Sequence, residues 1–408
     1  MPFSGVRQPL RFSGVTTPRP PVLVLGSGLT VLGAIRLLGR AGFAPLVVSD
    51  RPGIAKKSRW FRAAPASSSN VRPRTDLPAW LAGLPLDRAV LLPCEDDWAL
   101  RVSKCAPQIS DRFPASLPSY ECLQTVIDKG RLACVLDDLG LPQPRTIPID
   151  AEESATARPQ PLPEHVFLKP RDSAAFQRQF GVKAFQVTTD ADLASRLADV
   201  RRLGLSVQLQ EYVPGPASNH YYVEGFIDRD GRRKALFVRQ RLRMHPPDFG
   251  NSTFFESVDP SSVSDAVATV TTLLSHVRYR GMFSAEFKRD ARDGICRLIE
   301  VNARPWWYVE FAGQCGVNMC ALSVLDALGE EVPETIGYRL GKSCVYPYYD
   351  YFACREMHTK GELTTFQWMS SWLRSTQPVL RWSDPLPALS ETATLVKRRV
   401  SSYLRRAG

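Results

Sequence analysis

The first clear pattern along the chain is PVLVL at residues 21–25, an unbroken apolar run that stops at Gly26-Ser27-Gly28. TVLGAIRLLGR follows with its apolar positions at helical spacing, and Gly39 and Gly42 bracket the end of the predicted helix. A second apolar run ends on Asp50, and a third, AVLLPC at 89–94, precedes EDDWALRVSK, whose acids suit the first turn of a helix. Strands alternating with helices predict a doubly wound parallel sheet. The proline-punctuated stretch from Pro107 to Pro118 predicts its boundary.

After Tyr120 the pattern changes. ECLQTVIDKGRLACVLDDLG predicts a helix running to Gly140, and LPQPRTIPI reads as an extended connector into a polar, proline-rich loop at 150–164. VFLKP (166–170), FQV (185–187) and VQLQEYVPG (207–215) read as strands, with an amphipathic helix in DADLASRLADVRRLG. YYVEGFID and RKALFVRQRLRM predict a hairpin around Asp230-Gly231. A helix at 261–279 leads to a second hairpin, FSAEFKRD and CRLIEVNAR, joined at Asp293-Gly294. An α/β unit is thus followed by a more antiparallel α+β body.

That last hairpin carries the candidate chemistry. Side chains alternate along a strand, so Glu300, Asn302 and Arg304 share one face, and pairing brings Glu286 across from them. Two carboxylates and an amide form an all-oxygen donor set suited to Mg²⁺. Arg304 beside them suits a phosphate, because its planar fork binds oxyanions in pairs of hydrogen bonds. Lys169 ends a strand where a point charge meets a phosphate, and Lys129 lies in IDKGRL. In LQEYVPG the backbone at Glu211–Val213 can read a purine edge. Each feature alone has a plain alternative: an exposed hairpin, an edge lysine, a solvated helix lysine, an ordinary strand end.

Composition narrows the class. The 408 residues are 44% hydrophobic and 23% charged, ordinary for a folded soluble protein, with no apolar run of the ~20 residues a membrane span needs. Nine cysteines lie scattered without a CxxC, against a disulfide framework or a zinc site, so a cytoplasmic location is expected. The net charge of +11 sits largely in scattered arginines and in the tail VKRRVSSYLRRAG, a basic amphipathic helix by its pattern. That distribution argues against nucleic acid, favours an acidic substrate or a membrane surface only weakly, and leaves a homodimer open. Residues 1–20 read as a disordered tail.

IDKGRL, LGLPQPRT, VFLKP, QEYVPG, FSAEF and IEVNAR, in this order over about 120–330, resemble the ATP-grasp superfamily, with IEVNAR the most specific. The resemblance implies an N-terminal Rossmann-like pre-ATP-grasp domain at 21–118 and an ATP-grasp domain at 119–330, two α+β subdomains clasping ATP with the lid at about 165–215. A helical appendage would occupy 331–408. It implies that Glu286, Glu300 and Asn302 hold Mg²⁺ or Mn²⁺, that Lys129 and Lys169 contact ATP phosphates, and that Glu211, Tyr212 and Val213 line the adenine hinge. Arg304 would stabilise the transferred phosphoryl group, with Lys169 and Arg241 as catalytic partners. The family's phosphate-covering loop is often glycine-rich. Here PRDSAAFQRQFGVKAF has Gly181 alone, so Ser173, Lys183 and backbone amides would take that place, as in a carboligase-like branch of the superfamily.

The implied activity is an ATP-dependent ligase that phosphorylates a carboxylate and couples the acyl phosphate to an amine, releasing ADP and phosphate. Arg241 and Arg243, alternating on one strand face, are candidates for holding the acid. Gly250-Asn251-Ser252 offers backbone amides as an anion nest, and Gly28 stands at a helix N-terminus suited to a substrate anion. Trp306 and Trp307 would wall an acceptor pocket, with aromatic core packing the alternative. A kinase or carboxylase-like enzyme of the same superfamily is a second reading. A third is an NAD(P)-dependent oxidoreductase built on residues 21–50, although Val31 stands where the dinucleotide fingerprint has its third glycine.

Overall fold

The computed structural model describes residues 19–149, 166–171, 176, 179–182, 184–246 and 250–407. Most of the expected N-terminal tail, together with Ser173 and Lys183 of the phosphate-covering loop, lies outside the described residues. Strands β1 (Val22–Leu25), β2 (Pro45–Val48) and β3 (Val90–Pro93) form a parallel sheet in the order β2-β1-β3. Both faces of β1 are buried, which accounts for its continuous apolar run. The helix Gly28–Arg40 is buried from Thr30 to Leu38 because a second helix, Val309–Cys315, lies against it. Glycines permit that approach. A Cβ on Gly33 would come within 3.2 Å of Val309, and one on Gly313 within 2.2 Å of Leu37.

The body is a six-stranded antiparallel sheet in the order β12-β11-β8-β9-β10-β13. It comprises β8 (His220–Ile227), β9 (Arg233–His245), β10 (Asn251–Ser257), β11 (Gly281–Arg289), β12 (Cys296–Asn302) and β13 (Ser343–Val345). The hairpins predicted at Asp230-Gly231 and Asp293-Gly294 are the β8–β9 and β11–β12 pairs, with φ positive at both glycines. A smaller antiparallel sheet, in the order β4-β7-β5-β6, holds β4 (Thr146–Ile149), β5 (Val166–Pro170), β6 (Phe185–Val187) and β7 (Val207–Glu211). Leu193, Leu197 and Val200 of the helix Asp190–Arg202 pack on it, as their amphipathic spacing requires.

Three local expectations differ from the structure. The helix expected over 121–140 is two helices, Tyr120–Ile127 and Lys129–Asp138. Asp128 breaks it, because its Oδ1 accepts from the backbone N–H of Gly130 and of Arg131, each at 2.9 Å, and caps the second helix. The extended connector at 141–149 ends in β4, a full member of the small sheet. The region 331–408 contributes β13 to the large sheet besides its helices Pro347–Thr359, Thr365–Arg374 and Leu386–Ala407. It is tied to the helix Gly28–Arg40 by Arg36, fully buried, which donates to Asp384 Oδ2 and to the Val379 carbonyl, each at 2.9 Å. Among the described residues no single helix is long and apolar enough to cross a membrane.

Candidate active site

In the β11–β12 ladder Glu286 lies directly opposite Glu300, and Ser284 opposite Asn302. The neighbouring strand β8 sets Tyr222 beside Glu286. One sheet face therefore bears two carboxylates and an amide within adjacent registers. Glu286 Oε1 accepts from Arg241 Nη2 at 3.0 Å and meets His220 Nδ1 at 3.1 Å. Burial would raise the Glu286 carboxyl, but Arg241 and His220 outweigh it and hold it well below the usual carboxylate range. Burial, with Arg241 beside it, lowers His220 to about 4, so the imidazole is neutral and its Nδ1–H donates to the carboxylate. Arg241 is fixed by Ser252 Oγ at 2.9 Å and by the Tyr222 hydroxyl.

The small sheet brings lysine to the same place. Lys169 of β5 donates to Gln210 Oε1, and burial first and Lys129 second lower its ammonium to about 8, while Glu300 and Glu286 pull the other way. Lys129, Glu286 and Glu300, from separate elements, thus all act on the Lys169 ammonium. Such a field matters only in a weakly screened setting.

Arg304 follows β12. Its Nε and Nη2 grip Asp96 at 2.9 and 3.0 Å, and Nη2 also donates to Asn302 Oδ1 at 3.1 Å. Asn302 in turn donates to Glu300 Oε1 at 3.2 Å. Burial would lower the guanidinium pKa, but Asp96 more than offsets it and raises it above its ordinary value. At the end of β7, Glu211 turns its carboxylate to Arg292 Nη1 at 2.5 Å, and its backbone N–H donates to the Arg145 carbonyl at 2.9 Å. The Lys288 ammonium sits 4.4 Å from the centre of the Tyr212 ring, and Val213 is buried.

The substrate-handling residues divide. Ser252 stands beside Arg241 in the cluster, with its carbonyl accepting from the Tyr308 hydroxyl at 2.5 Å. Arg243 points elsewhere. It makes a buried bidentate pair with Asp350 at 2.9 and 2.7 Å, to which Thr253 and Trp372 also donate, so its charge is already matched and it is not offered to a substrate. Asn251 is exposed next to Ser252, Trp306 is buried, and Trp307 is 43% exposed. At Gly28 φ is +70° and nothing lies within 4 Å of a Cβ position.

The glycine turn at 26–28 faces a carboxylate. Ser27 Oγ donates to Glu95 Oε1 at 2.8 Å, and the same side chain lies against the Gly26 Cα. A carboxylate, paired with Arg74 Nη2 at 2.6 Å, stands beside the helix N-terminus that a dinucleotide pyrophosphate would need, and Val31 is buried core. This is the physical objection to the oxidoreductase reading. Sequence inspection overlooked Asp96, His220 and Tyr222. His220, Tyr222 and Glu224 alternate along β8, a period-two signal visible in HYYVE, whereas nothing local marks Asp96 as a partner of Arg304.

No protein-family model matches the chain. A D-aspartate ligase of Enterococcus faecium (strain Aus0004) is 25% identical over 247 residues, 58% of each chain, so the present chain spans under two thirds of that relative. Among solved structures, the L-amino acid ligase from Bacillus licheniformis superposes with a TM-score of 0.61 at 16% identity over 80% of both chains. The N5-carboxyaminoimidazole synthetase from Staphylococcus aureus superposes at 0.58, with 13% identity over 82% of both. A biotin carboxylase from Campylobacter jejuni superposes at 0.59, with 16% identity over 80% of this chain and 74% of its own. These superpositions cover about four fifths of the chain, and the chain has the ATP-grasp fold.

Proposed function

We propose that the protein is an ATP-dependent carboxylate–amine ligase. One observation carries the reading: Glu286 and Glu300 face each other on adjacent strands, and both act on Lys169, which Lys129 also reaches. A carboxylate must approach a triphosphate, so a site for this reaction needs cations around the phosphates and acids that hold a cation. The D-aspartate ligase relative supports an amino acid as the acid, and the L-amino acid ligase neighbour supports the same class.

The donor set fits a hard divalent cation. Among the described residues no three His, Cys, Asp or Glu side chains form a group that could hold a metal ion by themselves, so two carboxylates with the Asn302 amide would be the protein's share. Magnesium is commonly held that way, by one or two carboxylates with substrate phosphates and water completing the shell. When bound, the cation would neutralise phosphate charge. Lys129 and Lys169 would hold the phosphate oxygens, and the backbone at 211–213 would meet the adenine. Arg241, pinned by Ser252 and Tyr222, would orient the acid for attack on the terminal phosphorus. ADP departs, and the amine then displaces phosphate from the acyl phosphate. Arg304, held in plane by Asp96, would stabilise charge on the transferred group.

The test is incubation with ATP, Mg²⁺ and panels of amino acids and amines, measuring ADP, AMP and phosphate. ADP and phosphate formed only with both acid and amine support the ligase. AMP as the product excludes an acyl phosphate, and ADP formed without an amine moves the reading to a kinase.

A further inference from the structure

The C-terminal helix Leu386–Ala407 is attached with its apolar stripe outward. Pro387 is buried, and Glu391 accepts from the Tyr346 hydroxyl, so this side meets the protein. Leu386, Leu389 and Val396 stand away from it, 57%, 63% and 56% exposed, with Ala393 exposed between them. At helical spacing these residues fall on one stripe, which a surface helix ordinarily turns to the core. Trp382, just before the helix, is 90% exposed.

The sequence continues the stripe at Val400 and Tyr403 and adds Lys397, Arg398, Arg399, Arg405 and Arg406, against Glu391 as the one acid of 386–408. The 3-4 spacing also suits a two-stranded seam, yet Lys397, Arg399 and Arg406 would flank that seam with no acid of 386–408 except Glu391 to pair them. An anionic surface meets them with opposite charge. An apolar stripe flanked by Lys397, Arg399 and Arg406, with an exposed tryptophan just before the helix, is the composition of helices that lie in a lipid headgroup layer.

We propose that this helix docks the protein on the surface of an anionic lipid bilayer, its stripe in the headgroup layer and its basic residues against lipid phosphates. The inference is independent of the ligase reading. Co-sedimentation of the full chain with phosphatidylcholine vesicles, and with vesicles also containing phosphatidylglycerol, tests it. The expected result is a partition roughly tenfold or more higher onto the anionic vesicles, falling as salt is added. The double variant Leu389→Glu, Val396→Glu should lose it while keeping the wild-type thermal transition, because both side chains are exposed. Equal partition onto both vesicles, none at all, or undiminished partition of the variant overturns the proposal. A dimer in sedimentation velocity that the double variant dissolves assigns the stripe to a second copy and also overturns it. So does capture of an acidic protein without vesicle binding.

Discussion

Arg304 holds Asp96 by two hydrogen bonds, 2.9 Å from Nε and 3.0 Å from Nη2, across 208 residues of chain. The pair joins the strand end that follows Glu300 and Asn302 to the first turn of a helix in the N-terminal domain. It aims a guanidinium that also touches Asn302, so the domain preceding the large sheet sets the direction of a charge at the candidate site.

Replacing Arg304 by Ala should therefore lower kcat on the order of a thousandfold, with nucleotide affinity nearly unchanged. Asp96→Ala should lower kcat less, about tenfold, since it loosens the guanidinium without removing it. Steady-state kinetics beside nucleotide titration calorimetry separates the two effects. Equal loss of nucleotide affinity in both variants would contradict the assignment.

Glu300→Gln keeps the shape of the side chain and removes its charge. Turnover should fall at least about a hundredfold while the circular dichroism spectrum stays that of the wild type. Manganese binding in the presence of a non-hydrolysable ATP analogue, followed by paramagnetic resonance, should weaken in parallel. Retained turnover would take Glu300 out of the metal site.

Lys169 gives a pH signature. Its free-protein pKa is lowered to about 8, so above that pH the ammonium that would meet phosphate is lost before nucleotide arrives. Nucleotide binding stabilises the charged form, so affinity should fall by up to about tenfold per pH unit above 8, with proton uptake on binding. Calorimetry in buffers of different ionisation heat reads the uptake directly. Lys169→Met should bind more weakly at neutral pH and show a flatter profile.

The Arg36 network predicts a stability effect. Arg36 is fully buried and donates to Asp384, Glu310 and the carbonyls of Pro378 and Val379. Arg36→Met leaves Asp384 and Glu310 buried without it, which should cost about 3 kcal/mol or more of unfolding free energy. Denaturant titration checks this, and a loss under 1 kcal/mol would mean that the C-terminal region is held by other contacts.

His220 contributes acid sensitivity. Its pKa is lowered to about 4 in the fold, against an ordinary value near 6.5, so between those values the unfolded chain binds the proton and the native one does not. The His220 contribution is complete above pH 6.5 and is lost as pH falls toward 4. His220→Gln should flatten that part of the stability–pH curve measured by thermal unfolding.

Local pattern determined a good deal. Continuous apolar runs marked β1 and β3 because both faces of a parallel sheet are buried, and alternation along β12 put Glu300 and Asn302 on one face. The glycines of Asp-Gly turns located both hairpins, but unbroken pairing from the turn would set Glu286 opposite Ile299, and an irregularity between Glu286 and Phe287 brings Glu300 there instead. The order of short motifs was enough to expect the ATP-grasp fold. What the tertiary structure alone decided is how charges are shared. Arg241 and Arg243 are two residues apart on one strand face, yet one lies in the glutamate cluster and the other is matched by Asp350 from a helix 107 residues away. Lys169 shifts first because packing buries it and second because of Lys129, and Arg304 is aimed by Asp96. Periodicity reports which face a side chain takes, since it depends on neighbours three or four residues away. Which partner a charge finds depends on elements far off in sequence, and only packing brings those together.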